Sequence, residues 1–133
     1  MKRISQIAIA VVFLFLIVAC SNIEKGIEAY VEEENKVLPF EYGGELVLEE
    51  CVFDKVNVIY RYKLPEVAIT PEEAEELKAT FLCDEALEYE RFVQLLTMLA
   101  DGGYGLVYEY SDYRSNSITI TFTPEEIKES LSK

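Results

Sequence analysis

Residues 105–124 read GLVYEYSDYRSNSITITFTP, and this stretch decides the fold. Apolar and polar residues alternate on both sides of a polar centre, as they do in two strands that each bury one face. Residues 112–116 supply the polar turn between the two strands. The pattern therefore predicts an antiparallel hairpin. Its inward side chains are Leu106, Tyr108 and Tyr110 on the first strand and Ile118, Ile120 and Phe122 on the second.

An earlier stretch has the same pattern, with strands predicted over residues 45–53 and 55–64 around a turn at Asp54-Lys55. The alternation is cleanest in the second strand. Its predicted inward residues are Val56, Val58, Tyr60, Tyr62 and Leu64, and its outward residues are Asn57, Ile59, Arg61 and Lys63. One apolar and one largely polar face is typical of an antiparallel sheet that is covered on one side.

Helical spacing accounts for most of the remaining chain. Ile23, Ile27, Tyr30 and Val31 predict a first helix that ends before Pro39. The sequence Thr-Pro-Glu-Glu occurs at 70–73 and again at 123–126, and each copy predicts a helix start capped by its threonine. Gly102-Gly103 predicts a helix end. We therefore expect a two-layer α+β fold in which two antiparallel β-hairpins, about four strands, pack with two to four helices.

The N-terminus has the pattern of an export signal. Lys2 and Arg3 precede an unbroken apolar run at 7–19, which is too short for a comfortable bilayer span. Ile17-Val18-Ala19-Cys20 then resembles the lipobox of bacterial lipoprotein signal peptides. The resemblance implies cleavage before Cys20 and its modification by lipid, including palmitate-type acylation. The alternatives are an ordinary secretory signal with an incidental cysteine, or an N-terminal membrane helix.

This interpretation divides the chain into a signal peptide at 1–19 and one lipid-anchored extracytoplasmic domain at 20–133. Ser21 follows the cysteine where inner-membrane lipoproteins carry aspartate. We therefore expect a cell-envelope location, on the periplasmic or surface side of the outer membrane if the host has two membranes.

The charge balance argues against nucleic acid as a partner. The chain has 12 basic and 25 acidic residues, and removal of Lys2 and Arg3 leaves 10 basic residues and a formal charge of −15. Nucleic-acid phosphates require clustered Lys and Arg, so no nucleic-acid partner is expected. A basic protein is the partner that such a negative field would attract.

Three cysteines occur in the chain, and lipidation of Cys20 leaves Cys51 and Cys83. Outside the cytoplasm an even pair indicates a disulfide, which would stabilise the fold by about 3–4 kcal/mol in the chain-entropy model. The alternative is two buried free thiols.

The absence of histidine removes the usual general base and a common metal ligand. We therefore expect no enzyme activity, no cofactor and no metal. Arg61 and Glu109 are each flanked by two tyrosines on a predicted strand, so the two could line a cleft. An exposed cross-strand ion pair is the simpler interpretation of these residues.

The order of motifs resembles a family of small exported bacterial proteins and lipoproteins without an established activity. The resemblance covers about residues 35–126. It is carried by Asn35-x-x-Leu38-Pro39, Tyr60-Arg61-Tyr62, Cys83, residues 106–110 and residues 118–124. Members of the family often carry a cysteine after the last Thr-Pro that can pair with the helix-end cysteine. This chain has Glu125 and Glu126 there instead, which leaves Cys51 as the remaining candidate for Cys83.

Function is expected to rest on protein contact. The chain has nine tyrosines, and tyrosine is enriched at interfaces. Tyr104 and Tyr113, at the ends of the second hairpin, are the predicted surface residues. The principal hypothesis is an accessory or assembly lipoprotein of the envelope. The alternatives are an acidic immunity or inhibitor lipoprotein that neutralises a basic exported toxin or hydrolase, and a carrier of a small ligand or lipid.

Overall fold

The computed structural model describes residues 22–82 and 86–132. In these ranges the chain forms an α+β fold, as the sequence predicts. One five-stranded sheet has the order β1-β2-β3-β4-β5. Its strands are β1 (Phe40–Tyr42), β2 (Leu46–Phe53), β3 (Asn57–Leu64), β4 (Gly105–Asp112) and β5 (Ser117–Phe122). The helices are α1 (22–35), α2 (Glu73–Phe81), α3 (Glu90–Gly102) and α4 (Pro124–Leu131), with a 3₁₀ turn at Ala86–Glu88.

Both predicted hairpins are confirmed, because β2 pairs with β3 and β4 with β5 in antiparallel register. The two hairpins meet through a parallel pairing of β3 with β4 at the centre of the sheet. A parallel pair requires a long crossover connection, and α2 and α3 supply it. Alternation within a strand carries no information on this pairing.

The fifth strand, β1, was not predicted. It is a three-residue edge strand, antiparallel to β2, and lies between Pro39 and the glycine turn at 43–44. Three residues are too few for periodicity to be visible in the sequence. The sheet therefore ends in a short strand rather than at β2.

The four helices contribute to one core on one face of the sheet. Fully buried side chains from α1, α3 and α4 meet the inward residues of the central strands, and α2 adds partly buried ones. The fully buried helical residues are Ile27, Leu95, Leu96, Leu99 and Ile127. The predicted two-layer arrangement follows from this one-sided covering.

Two predictions for β3 are wrong. Ile59 was expected to face water but is only 9% exposed. Ile59 belongs to a row of register partners on the outward face, in which neighbouring side chains cover one another. The row is Val52, Ile59, Val107 and Thr121. Val56 was expected inward but is 64% exposed, because it belongs to the β2–β3 turn rather than to the strand.

Most of the predicted helix boundaries agree with the structure, but one predicted cap does not. The first helix ends at residue 35, before Pro39, as predicted. Gly103 ends α3 with a φ of 77°, a conformation that costs glycine least. Thr123 caps α4 as predicted, whereas α2 begins at Glu73 after Glu72, with no side-chain cap, so the capping prediction for Thr70 is wrong.

Several predicted features lie outside the described residues. They are the signal peptide at 1–19, the lipidated Cys20, and Cys83 of the predicted disulfide. Within 22–82 and 86–132, no helix has the length and apolar character needed to cross a membrane.

Candidate functional site

The outward face of the sheet brings Arg61 and Glu109 together. They are register partners on the parallel strands β3 and β4, and Arg61 Nε donates to Glu109 Oε2 at 2.9 Å. Arg61 Nη1 also donates to Glu50 on β2. These hydrogen bonds, first that with Glu50, raise the pKa of the guanidinium. The simpler interpretation, an exposed cross-strand pair, is therefore confirmed and extended to a third strand.

A polar cleft of about 320 Å³ lies beside this ion cluster. Its walls include Glu49, Arg61, Glu109, Ser111, Ser117 and Thr119. Because Arg61 already contacts two carboxylates, its charge is largely compensated. The arrangement ties three strands together through one guanidinium.

Tyr104 and Tyr113 are separated by the whole length of β4, so the structure does not bring them together. Tyr104 is half-buried and packs edge-to-face on Phe53, with ring centroids 5.1 Å apart. Tyr113 is 48% exposed in the β4–β5 turn, and the Arg114 guanidinium lies 5.1 Å from its ring centroid. Tyr113 is the more accessible of the two, and binding by either residue stays a prediction.

Four other tyrosines belong to the core. Tyr108 stacks on Tyr60 and on Phe81, and Tyr62 stacks on Tyr110. Burial raises the pKa of Tyr60, Tyr62, Tyr108 and Tyr110. The core position predicted for Tyr108 and Tyr110 is confirmed. Much of the tyrosine content therefore serves packing rather than recognition.

Cys51 is buried on β2, and among the described residues it has no disulfide partner. Asn35, from the motif that opens the domain, forms hydrogen bonds with both backbone groups of Cys51. The Asn35 amide donates to the Cys51 carbonyl at 2.6 Å and accepts from the Cys51 N–H at 3.0 Å. Burial raises the pKa of the thiol to about 12, which keeps it protonated and unreactive. Cys83 lies outside the described residues, so the Cys51–Cys83 disulfide stays a prediction.

Asp112 is a buried carboxylate, whereas the sequence predicted only a residue of the polar β4–β5 turn. It is 4% exposed and accepts from the backbone N–H groups of Ile69, Arg114 and Asn116 and from the Asn116 amide, at 2.8–3.0 Å. Burial alone would raise its pKa, but these hydrogen bonds outweigh burial and lower the pKa to about 2. Asp112 thus fixes both the β4–β5 turn and the loop before α2.

An exposed aromatic surface lies on β1 and was not predicted from the sequence. Phe40 and Tyr42 are 48% and 49% exposed, and their rings pack edge-on with centroids 4.8 Å apart. β1 is also the last strand on its side of the sheet, so one edge of its backbone is unpaired in the described structure. We call Phe40, Tyr42 and this backbone edge the β1 edge. The signal in the sequence was Phe-Glu-Tyr between a proline and two glycines.

A second cleft, of about 620 Å³, runs along the outward side of α3. Leu87, Val93 and Met98 give it an apolar lining, and Glu88, Glu90 and Gln94 form its polar part. Both clefts are open to solvent. Within the ranges that the structure describes, no group of three Asp, Glu or Cys side chains is placed to hold a metal ion.

The fold is shared with two solved structures. The pilotin EpsS of the Vibrio vulnificus type 2 secretion system is similar with a TM-score of 0.61 and 18% identity, over 82% of this chain and 94% of that one. A Pseudomonas aeruginosa protein, described provisionally as secreted, is similar with a TM-score of 0.56 and 14% identity, over 82% and 96% of the two chains. No family model and no curated protein matches the sequence. At these identities the likeness establishes the fold and nothing further.

Proposed function

We propose that the chain is a lipid-anchored accessory protein of the bacterial envelope that acts through protein contact, without catalysis. The observation that carries the proposal is the fold shared with the pilotin, which extends over nearly all of that protein. By analogy with a protein of a secretion system, the partner is a component of an envelope assembly. The predicted lipidation of Cys20 would hold the domain beside such an assembly.

The surface chemistry supports contact over catalysis. The charged cluster around Arg61 is internally compensated, and the Cys51 thiol is buried and protonated. By contrast, the β1 edge exposes two aromatic rings beside unpaired strand backbone. Exposed strand edges and aromatic side chains are common features of protein interfaces. The β1 edge is therefore the first surface to disrupt.

Affinity capture tests the proposal. The bait is the full chain, tagged at its C-terminus and extracted from membranes in detergent, at low and high salt. We compare the wild-type bait with Phe40→Ser/Tyr42→Ser, and use Val67→Ser, which is 44% exposed and belongs to no candidate site, as the control. The expected result is a set of integral envelope proteins that is insensitive to salt, lost with the double variant and kept with the control.

A different result would favour the inhibitor alternative. That alternative is supported by the formal charge of −15 after cleavage. Capture of one basic exported protein, released at high salt, would support neutralisation of that protein and contradict an assembly role.

The anchor is tested separately. Cys20→Ala prevents thioether formation, so this variant should leave the membrane fraction. Recovery of Cys20→Ala as a processed, lipid-modified membrane protein would contradict the anchor assignment.

A further inference from the structure

We infer that one end of the domain lies against the headgroup layer of the bilayer that holds its anchor. This membrane-side end consists of the first turn of α1, the β2–β3 turn and the α3–β4 junction. Its surface carries Lys25, Lys55, Val56 and Tyr104, together with the carboxylates of Glu28 and Asp54. The inference rests on the proposed lipidation of Cys20. It adds an orientation, and a lipid surface as a second contact of the domain.

The length of the tether requires this proximity. Cys20 precedes residue 22, the start of the described part of α1, by two residues. Two residues reach at most about 7 Å. The headgroup layer on each side of a bilayer is about 5–7 Å thick, so the first turn of α1 stays beside that layer.

Three elements are fixed to one another at this end. Lys55 Nζ, on the β2–β3 turn, lies 2.6 Å from Glu24 Oε1 and also contacts Glu28, both on the first turns of α1. Gly102 of α3 lies against both Tyr104 and Ile23, since an added Cβ there would be 2.5 Å from the Tyr104 ring and 2.9 Å from Ile23 Cγ2. The anchor-bearing helix therefore brings the turn and the α3–β4 junction with it to the membrane.

The β2–β3 turn presents Val56 on rigid backbone. Asp54 Oδ1 accepts from the N–H groups of Val56 and Asn57 at 2.9 and 2.7 Å, and the Val56 carbonyl accepts from Gly105 N–H at 3.0 Å. The Val56 side chain itself is 64% exposed. A valine held outward at a turn is suited to the boundary between headgroups and acyl chains.

The neighbouring side chains have the same interfacial chemistry. Tyr104 has an apolar ring, half-buried against Phe53, and a polar hydroxyl, a combination that is enriched at membrane interfaces. Lys25 is exposed on the first turn of α1 and can reach lipid phosphates with its long side chain. No affinity of its own is needed, because the short tether supplies a high effective concentration of lipid.

The opposite end of the molecule points away from the bilayer. α1 extends about 20 Å from residue 22 to residue 35. Val37 follows that far end, and the β4–β5 turn with Tyr113 lies at the far end of β4. These regions remain accessible to a protein partner while the domain is anchored.

Tryptophan quenching tests the orientation, because the chain contains no tryptophan. Val56→Trp is compared with Val37→Trp, since the two valines are 64% and 66% exposed. Each variant is expressed as the full chain, purified with its lipid, and reconstituted into phosphatidylcholine vesicles whose acyl chains are brominated near the glycerol. We expect about a two-fold loss of emission for Val56→Trp and little loss for Val37→Trp, since only the first indole would sit at headgroup depth.

Controls separate the orientation from the anchor. Cys20→Ala versions of both variants should neither float with vesicles nor be quenched, which also excludes insertion driven by the new indole alone. Vesicle-bound protein with equal quenching at both positions, or with none, would overturn the orientation and leave the anchor intact. Lipid-purified protein that does not float would overturn the anchor and the orientation together.

Discussion

The sequence Thr-Pro-Glu-Glu occurs twice, and the two copies behave differently. At 123–126 the threonine hydroxyl accepts from Glu126 N–H, Glu126 Oε1 accepts from Thr123 N–H, and α4 begins at Pro124. At 70–73 the same residues form a turn, and α2 begins three residues after Thr70 without a side-chain cap. The difference shows that capping residues permit a helix start, whereas the packing of the helix decides its position.

The two helices differ most in what they bury. α4 follows directly from β5, packs against α3 and buries Ile127 completely. α2 follows a loop that is held at Ile69 by Asp112, and none of its residues is fully buried. The extended backbone at the end of β5 suits a capping threonine, whose φ and ψ are −73° and 160° at Thr123.

The largest expected effect tests whether α4 contributes more to the core than α2 does. Ile127→Ala should lower the free energy of unfolding by about 3 kcal/mol, because it removes a fully buried side chain. Leu77→Ala, on the partly buried face of α2, should cost about 1 kcal/mol. Urea unfolding of the two variants measures the difference. Equal losses would show that α2 and α4 contribute equally to the core.

The next effect concerns the loop before α2. The pKa of Asp112 is lowered to about 2, so the stability it contributes is present above its unfolded pKa of about 3.9 and is lost as pH falls through about 2. Asp112→Asn should lower the melting temperature by several degrees at neutral pH and flatten its fall between about pH 4 and pH 2.

Thermal unfolding across this pH range measures the change, with Asp54→Asn as the exposed control. The Asp54 carboxylate also accepts two turn hydrogen bonds, but it lies in solvent. An unchanged pH profile in Asp112→Asn would contradict the role assigned to this carboxylate.

The third prediction compares the two threonines directly. Thr123→Ala should cost about 1 kcal/mol of stability, because it removes one side of a capping box. Thr70→Ala should cost less than about 0.3 kcal/mol, because the Thr70 side chain caps no helix. Urea midpoints distinguish the two. A comparable loss at Thr70 would mean that α2 begins earlier in solution.

The smallest expected effect concerns the ion pair that joins the two helices. Lys78 on α2 lies 2.9 Å from Glu126 Oε2 on α4, and both side chains are partly exposed. Lys78→Met keeps the apolar stem over Phe122 and should change stability by at most about 0.5 kcal/mol. The effect should shrink further in high salt. A loss above 1.5 kcal/mol, comparable with a core truncation, would show that this pair has a larger role than its exposure indicates.

Local pattern was sufficient for much of the fold. The alternation in 105–122 and 57–64 predicted two hairpins and the inward positions of Tyr108 and Tyr110. It did not predict the parallel β3–β4 pairing, because strand order depends on where the crossover helices pack. It misassigned Ile59 because a central strand is covered by its neighbours even on the open face of a sheet.

The candidate sites were less readable. Arg61 and Glu109 could be chosen for their setting between tyrosines, but the contact of Arg61 with Glu50 depends on β2 register and its bulge. The exposure of Phe40 and Tyr42 depends on β1 being an edge strand, which no periodicity over three residues reveals. The Cys20 prediction depends on a linear motif and needs no fold, and it stays a prediction because Cys20 lies outside the described residues.

The parallel pairing of β3 with β4 has a consequence for the order of folding. Register partners in the three antiparallel pairings are close in sequence, whereas in the parallel pairing Asn57 pairs with Gly105 and Leu64 with Asp112. Closing so long a loop costs entropy before its contacts form, which slows folding. A chain that enters a compartment from its N-terminus cannot complete the centre of its sheet until residue 112 has arrived. In the export that we propose, the inner edge of the first hairpin would stay unpaired until β4 arrives.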